Sequence, residues 1–381
     1  MEIVAKIVAD SVRIRSIMMK KIFLSLMMIL ALMACKDEQK NPAADDARPL
    51  IKIGAVLPLT ADNSVVGTAV KAGILAAIED KSKENLKYRY EALFEDNQQS
   101  PARSATAANK LMMVDKVNML LSFTTGIGRV VAPLAENAKL LHLCSTLEDE
   151  NAVPMGKTTF FQGPTLQSYQ RLVVKALQQQ KVQKLALLAE NVGVACVGTE
   201  RLSALLKSQG LETKVECFNP SDLDFRFVIQ KYIASGFDYF YIQFWPPQSN
   251  ILLKQLKENN VDFSHIFGSG IDTDSDTSLF DDINHFGGNS GTPEFINHLA
   301  ETYNVKNVYM AASAYDLISL AIDAFENVEN INDVDELLAY IKAHATRKCM
   351  SGDCKLLENG FIANEAEWRT YKNGRIIQLG N

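Results

Sequence analysis

Small hydroxyl residues stand at the ends of two short apolar runs, and they are the part of this sequence best suited to chemistry. The run 117–123 is followed by Thr124-Thr125-Gly126, and the run 140–144 by Ser145-Thr146. A helix that starts directly after Thr125 leaves the N–H groups of its first turn without partners. A carboxylate placed there meets several donors and the favourable end of the helix dipole. Thr125, Ser145 and Thr146 therefore outline half of a site for a small anion or an amino acid. The same residue types are also ordinary helix N-caps, and the two readings differ in what a substitution would do.

Other reactive side chains are less well placed. His142 and Cys144 are two apart on an expected strand and share one face, but no Asp or Asn partner follows from spacing, so catalysis is not indicated. Trp245 ends an aromatic run, 239–244, where it can stack on a ligand or fill a core. The alternating acids Asp272, Asp274 and Asp276 lack the Gly and distal Glu of a calcium loop. No Cys or His cluster has metal-ligand spacing, and neither a metal nor a cofactor is expected.

These residues sit in a chain of 381 residues with 47% hydrophobic and 22% charged content, ordinary for a globular protein and enough for two lobes. The beginning differs. Met19-Lys20-Lys21 precedes an apolar run, 22–33, that closes as Leu32-Met33-Ala34-Cys35 with no acidic residue. A basic start, a short apolar stretch and small residues at its end make an export signal, residues 1–34, too short to span a bilayer. Either Met18 or Met19 suffices as its start. Cys35 resembles the lipidated cysteine of bacterial lipoproteins. Losing residues 1–34 removes five basic and two acidic residues and moves the net charge from −6 to −9, which argues against a nucleic-acid partner. Membrane contact then rests on the lipid.

Beyond Cys35 lie Cys144, Cys196, Cys217, Cys349 and Cys354. In an exported protein Cys349 and Cys354 are close enough to close a small disulfide loop that fixes a local turn. The odd count leaves at least one thiol free or paired outside the chain, and Cys144 fits a small buried apolar residue. The pairing of the others stays open.

Residues 35–49 read as a lipidated cysteine and polar tether. Strands are expected at 51–57, 88–94, 117–123 and 140–144, with helices at 66–80, 101–114 and 126–139; Pro133 would kink the last of these or mark its true start. From Phe160 the alternation begins afresh, with helices at 166–180, 198–209, 222–235 and 247–259 and strands at 184–189, 212–218, 238–244 and 264–269. The passage 271–292 is rich in Asp, Thr, Ser, Asn and Gly and is expected to be irregular. Helices at 293–303, 311–327 and 334–344 must pack on a sheet made earlier, and short strand-like pieces end the chain. Two β/α series imply two parallel sheets, each covered by helices.

Several segments together resemble one family. They are Ile51-Lys52-Ile53-Gly54-Ala55-Val56-Leu57-Pro58-Leu59-Thr60 with Gly67 and Ala72-Gly73; Asp96-Asn97 before the helix from Pro101; Thr125; Cys144-Ser145-Thr146; Phe161-Gln162-Gly163-Pro164-Thr165; Thr292-Pro293-Glu294-Phe295; and Ala314-Tyr315-Asp316. Their order is similar to that of the leucine/isoleucine/valine-binding type of periplasmic binding protein, the substrate-binding proteins of ABC transporters. The resemblance runs through most of residues 50–381. It implies an α/β, two-lobed type I periplasmic-binding-protein fold, each lobe a parallel sheet flanked by helices, joined by a multi-strand hinge. Lobe 1 would comprise 50–164 and 291–362, and lobe 2 would comprise 165–290 and 363–381.

The resemblance also implies roles. Thr125 would hold a ligand carboxylate by hydroxyl and N–H, Thr146 would contact carboxylate or ammonium, and the Cys144 carbonyl would accept from the ammonium. Two departures matter. The aromatic-glycine contact of lobe 2 falls at Val194-Ala195-Cys196, which has no ring, and the acid that pairs the ammonium falls at Gly270 to Asp272, leaving only Asp272. An uncompensated ammonium in a dry cleft is costly.

The implied function is that of an exported, membrane-anchored lipoprotein on the periplasmic side or cell surface. It would capture a small polar ligand in its cleft, an amino acid (branched-chain included) or an amide or urea-like compound, and deliver it to an ABC permease. The alternative is a non-transport lipoprotein of the same fold, a sensor or a regulator of a cell-envelope enzyme. Thr125 and Thr146 favour the first; the missing ring favours the second.

Overall fold

The structure, a computed structural model, describes residues 46–60, 64–192, 195–270, 279, 281–305, 308, 310–373 and 375–380. The export signal, Cys35 and Asp272 lie outside the described residues, as does Val194.

The first half builds β1 (Leu50–Leu57), α1 (Ser64–Lys81), β2 (Arg89–Asp96), α2 (Pro101–Met113), β3 (Met119–Phe123), α3 (Thr125–Asn137), β4 (Leu141–Ser145) and β5 (Thr159–Pro164). A second series follows: α4 (Leu166–Gln179), β6 (Lys184–Glu190), α5 (Ala195–Ser208), β7 (Glu212–Phe218), α6 (Arg226–Ala234), β8 (Tyr239–Gln243), α7 (Gln248–Glu258) and β9 (Ile266–Ser269). The remainder holds β10 (Asn284–Gly288), α8 (Pro293–Tyr303), α9 (Ala311–Asn327), α10 (Val334–His344), β11 (Arg347–Cys349), β12 (Gly352–Leu356), β13 (Phe361–Asn364), β14 (Ala366–Lys372) and β15 (Arg375–Gly380). Among the described residues no helix is long and apolar enough to cross a membrane.

Two sheets result, one per lobe. The first has the order β11-β12-β13-β5-β4-β3-β1-β2 and the second β15-β14-β10-β9-β8-β6-β7. Each is parallel over most of its width, with antiparallel pairs only at one edge. β3, β4 and β5 are buried along their whole length, because helices cover both faces and an apolar run replaces the alternation of a one-sided strand. Met119, Leu121, Leu141 and Leu143 pack with α1, α9 and α10, while Leu120 packs on the other face with Ile127 and Val131 of α3. Each such side chain contributes roughly 1.5–3 kcal/mol by leaving water.

Three expectations are corrected. The helix expected at 222–235 starts only at Arg226, since Asp222 accepts the Asn219 N–H and Asp224 the Arg226 N–H, holding the chain in turns first. Pro133 does not start a helix; it lies inside α3, which begins at Thr125. The passage 271–292 is not wholly irregular, because it contains β10, paired to β9 and β14. The His-Phe-Gly-Gly composition of that strand carries little β-propensity, and its burial between two neighbours forms it instead.

The chain passes between the sheets three times, after β5, after β10 and between β13 and β14. Gly288 lies against Pro164, so the carboxyl ends of β5 and β10 meet at these crossings. A buried network ties two of them to α9. Asp316 accepts the N–H groups of Met350 (2.7 Å) and Ser351 (2.9 Å) and the amide of Gln162 on β5 (3.2 Å), while Asn364 on β13 donates to Ser351 Oγ at 2.7 Å. Burial pushes the Asp316 carboxyl up, against these donors. Met350 and Ser351 lie within the loop closed by the Cys349–Cys354 disulfide. Cys196 is bonded to Cys217, and Cys144 is a buried free thiol.

Candidate functional site

In both sheets the chain reverses its direction of growth at one point. β1 lies between β2 and β3, and β6 lies between β7 and β8. The loops leaving neighbouring strands at such a point part in opposite directions and open a crevice outside the carboxyl ends. In the first sheet that crevice is bounded by residues 58–60 after β1 and by Thr124 and Thr125 after β3. In the second it is bounded by Glu190 on β6 and the residues after β8, Phe244 and Trp245.

The hydroxyls of Thr125 and Thr146 lie 2.8 Å apart, and both reach the Leu147 carbonyl, at 3.0 and 3.2 Å. Thr146 is buried, 2% exposed, whereas Thr125 is half-buried. Gly163 of β5 runs so close beneath that any side chain there would collide with the Thr146 carbonyl. Thr146 N donates to Gln162 O at 2.8 Å, which fixes the residue from below.

None of these hydroxyls caps a helix. Thr124 occupies the N-cap position of α3 but makes no side-chain cap bond, Thr125 is already helical, and Ser145 ends β4 with an Oγ that is buried without a hydrogen-bond partner among the described residues. Thr124 itself has φ 74° and ψ 147°, a region that costs a β-branched residue of the order of 1–3 kcal/mol. Its backbone is held there from both sides: N donates to Ser145 O (3.1 Å) and O accepts from Gly128 N (2.8 Å). α3 starts directly after it, at the carboxyl end of β3.

Sequence reasoning gave no role to the neighbouring loops. Asp96, at the end of β2, accepts the N–H of Leu59 (2.8 Å) and of Thr60 (3.2 Å) and the Thr60 hydroxyl. Burial opposes ionisation, but these bonds outweigh it and hold the Asp96 carboxyl down at about 2. Its charge thus fixes the loop after β1. Gln98 and Gln99 follow with φ 47° and 57°, and Gln99 Nε2 donates to Thr124 Oγ1 at 3.5 Å. Adjacent left-handed residues other than glycine had no distinctive sequence signal.

Cys144 turns its thiol under α3, against Gly128, and burial pushes that thiol up to about 12. His142 is buried beside it, between Ser122 Oγ (2.8 Å) and Thr159 Oγ1 (3.1 Å), and burial pushes it down to about 3. A protonated thiol and a neutral, doubly bonded imidazole make a structural pair.

The loop after Thr146 leaves the first sheet and docks on the second lobe. Asp149 pairs with Arg201 of α5 at 2.5 Å, and Thr165, the cap of α4, donates to Glu150 at 2.8 Å. On that lobe Trp245 is half-buried, its indole against Gly270. Gly270 has φ 80° and leaves no room for a side chain beside the ring. Trp245 thus stands across the strand ends from Glu190, whereas the Thr125–Thr146 pair belongs to the other lobe.

The fold has known counterparts. Leucine-binding protein LivK from Thermotoga maritima aligns with TM-score 0.74 and 19% identity over 86% of this chain and 97% of that one. Branched-chain amino acid binding protein LivJ from Streptococcus pneumoniae, in complex with isoleucine, gives 0.72 and 18% over 86% and 99%. A Rhodopseudomonas palustris ABC-transporter solute-binding protein in complex with 3,4-dihydroxybenzoic acid gives 0.73 and 19% over 87% and 96%. No curated protein sequence matches the chain. Residues 50–357 match the sequence profile of the periplasmic binding proteins, and with the two sheets and three crossings above this makes the chain a member of the periplasmic binding protein family.

Proposed function

We propose that this protein is the lipid-anchored solute-binding component of an ABC transporter. It captures a small polar ligand between lobes formed by residues 50–164 with 291–362 and 165–290 with 363–381, and it hands that ligand to a membrane permease. The observation that carries the reading is the Thr125–Thr146 pair beside the strained Thr124, which together turn hydroxyls and the first N–H groups of α3 towards the crevice of the first sheet. That donor set suits a carboxylate or an amide. The Ser145 hydroxyl and the Cys144 carbonyl complete this edge of the site, Trp245 contributes from the opposite lobe, and Asp272 is a further candidate contact. The bound amino acid and aromatic acid of the structural counterparts both carry a carboxylate, in keeping with this donor set.

A second reading has one observation in its favour. The two threonine hydroxyls are already satisfied by each other and by Leu147 O, as a sensor or regulator of a cell-envelope enzyme that binds no solute would have them. A thermal-unfolding screen of the chain lacking residues 1–35 against amino acids, amides, urea and aromatic acids separates the readings, because a ligand that binds only the folded state raises the midpoint. A rise with at least one compound supports transport. No rise with any compound favours the regulator.

A further inference from the structure

The short loop closed by the Cys349–Cys354 disulfide touches all three passages of the chain between the sheets. Ser351, at its centre, is fully buried. Its Oγ accepts from the Gln162 amide of β5 at 3.2 Å and from the Asn364 amide of β13 at 2.7 Å. Gln162 and Asn364 belong to paired strands and stand where the crossings after β5 and β13 begin. The crossing after β10 meets the same loop, since Met350 packs on Gly291 and Gly352 faces the Asn289 amide.

The loop is held in this shape from two directions. Asp316 of α9 accepts the N–H groups of Met350 and Ser351 and also the Gln162 amide, which requires those two adjacent N–H groups to point the same way. Gly352, at φ 99°, lets the chain turn back, and the disulfide closes the ring behind it. Opening that bond returns conformational freedom to the loop, so the entropy of ordering it would again oppose every one of these contacts. The bond can be reached: Cys349 is half-buried at the end of β11, the edge strand of the first sheet, whereas Cys354 is buried. The other disulfide, Cys196–Cys217, ties α5 to β7 at the far edge of the second sheet.

We propose that the Cys349–Cys354 disulfide is a redox-sensitive clamp on the hinge between the lobes, which holds its loop against all three crossings when intact and releases them when an extracytoplasmic dithiol opens it. One thiolate of the dithiol attacks the Cys349 sulfur and the bond to Cys354 breaks, Cys354 leaving as a thiolate that takes up a proton. The second thiol of the reagent then displaces Cys349, so that the cystine gains two electrons and two protons while the dithiol becomes a disulfide. The clamp goes beyond the solute-binding reading and acts in the same way whether the protein carries a solute or regulates an enzyme.

Hydrogen exchange read by mass spectrometry tests it on the full chain in detergent, before and after treatment with dithiothreitol, with iodoacetamide labelling to show which cysteines have opened. Amides in 160–165, 286–291 and 361–366 are expected to exchange at least about tenfold faster once Cys349–Cys354 is open, as for loss of one charge-assisted hydrogen bond, while β1 and β3 keep their rates. Peptides from α5 and β7 report the other disulfide separately. Cys349→Ser/Cys354→Ser should reproduce the change without reductant. Ser351→Ala, which keeps the disulfide, should loosen the crossings after β5 and β13 and leave the one after β10 as it was. Faster exchange confined to 349–354 overturns the clamp and leaves the disulfide as the brace of a local turn. A bond that dithiothreitol does not open in the folded chain, or a rise spread over both lobes as in loss of the fold, overturns it too.

Discussion

Thr125 and Thr146, twenty-one residues apart, place their hydroxyl oxygens 2.8 Å from each other and share the Leu147 carbonyl. They act as one polar unit spanning the ends of β3 and β4. In the free protein one proton links the pair. On the proposed reading, a ligand acceptor entering the crevice would compete with Leu147 O for the second.

The pair should therefore behave non-additively. Thr125→Ala or Thr146→Ala alone is expected to weaken the ligand about tenfold or more, since a charge-assisted bond is worth about 1.5–3 kcal/mol. The double variant should lose less than the sum of the two, because either single change already breaks the unit. Calorimetric titration alongside unfolding measures this. Unchanged affinity with lowered stability would return both residues to a structural role.

Thr124 is held at a positive φ that glycine tolerates. Thr124→Gly is expected to raise unfolding stability by up to about 1 kcal/mol by releasing strain, while loosening the first turn of α3 and lowering ligand affinity. Denaturant midpoints and titration are the measurements. A destabilised variant with intact affinity would mean that the strain has no part in positioning the site.

His142 makes stability depend on pH in a stated window. Burial pushes it down to about 3, whereas an unfolded imidazole titrates near 6.5. Between those values the unfolded chain binds a proton that the folded chain refuses, so stability is full above about pH 6.5 and falls as the pH drops, by about 1.4 kcal/mol per unit. His142→Gln should flatten the slope between pH 6.5 and 5 whatever its absolute stability. An unaltered slope would show that the titration belongs to other groups.

The Leu32-Met33-Ala34-Cys35 signature predicts membrane attachment through Cys35. Wild type should enter the detergent phase on partitioning, and Cys35→Ser should remain in the aqueous phase. A wild-type protein already in the aqueous phase would remove the anchor.

The sequence alone determined the local plan. Buried strands such as 119–123 and 141–145 announce themselves as apolar runs, and helices 293–303 and 334–344 by Thr-Pro and Asp at their starts, since both signals come from neighbouring residues. The small hydroxyls at 124–125 and 145–146 marked strand ends for the same reason. Tertiary structure decided the rest, because it depends on residues far apart in the chain. β10 exists through its two neighbours and not through its composition. Cys196 finds Cys217 only when α5 and β7 are side by side. Asp96 acquires its task from a loop thirty-six residues earlier.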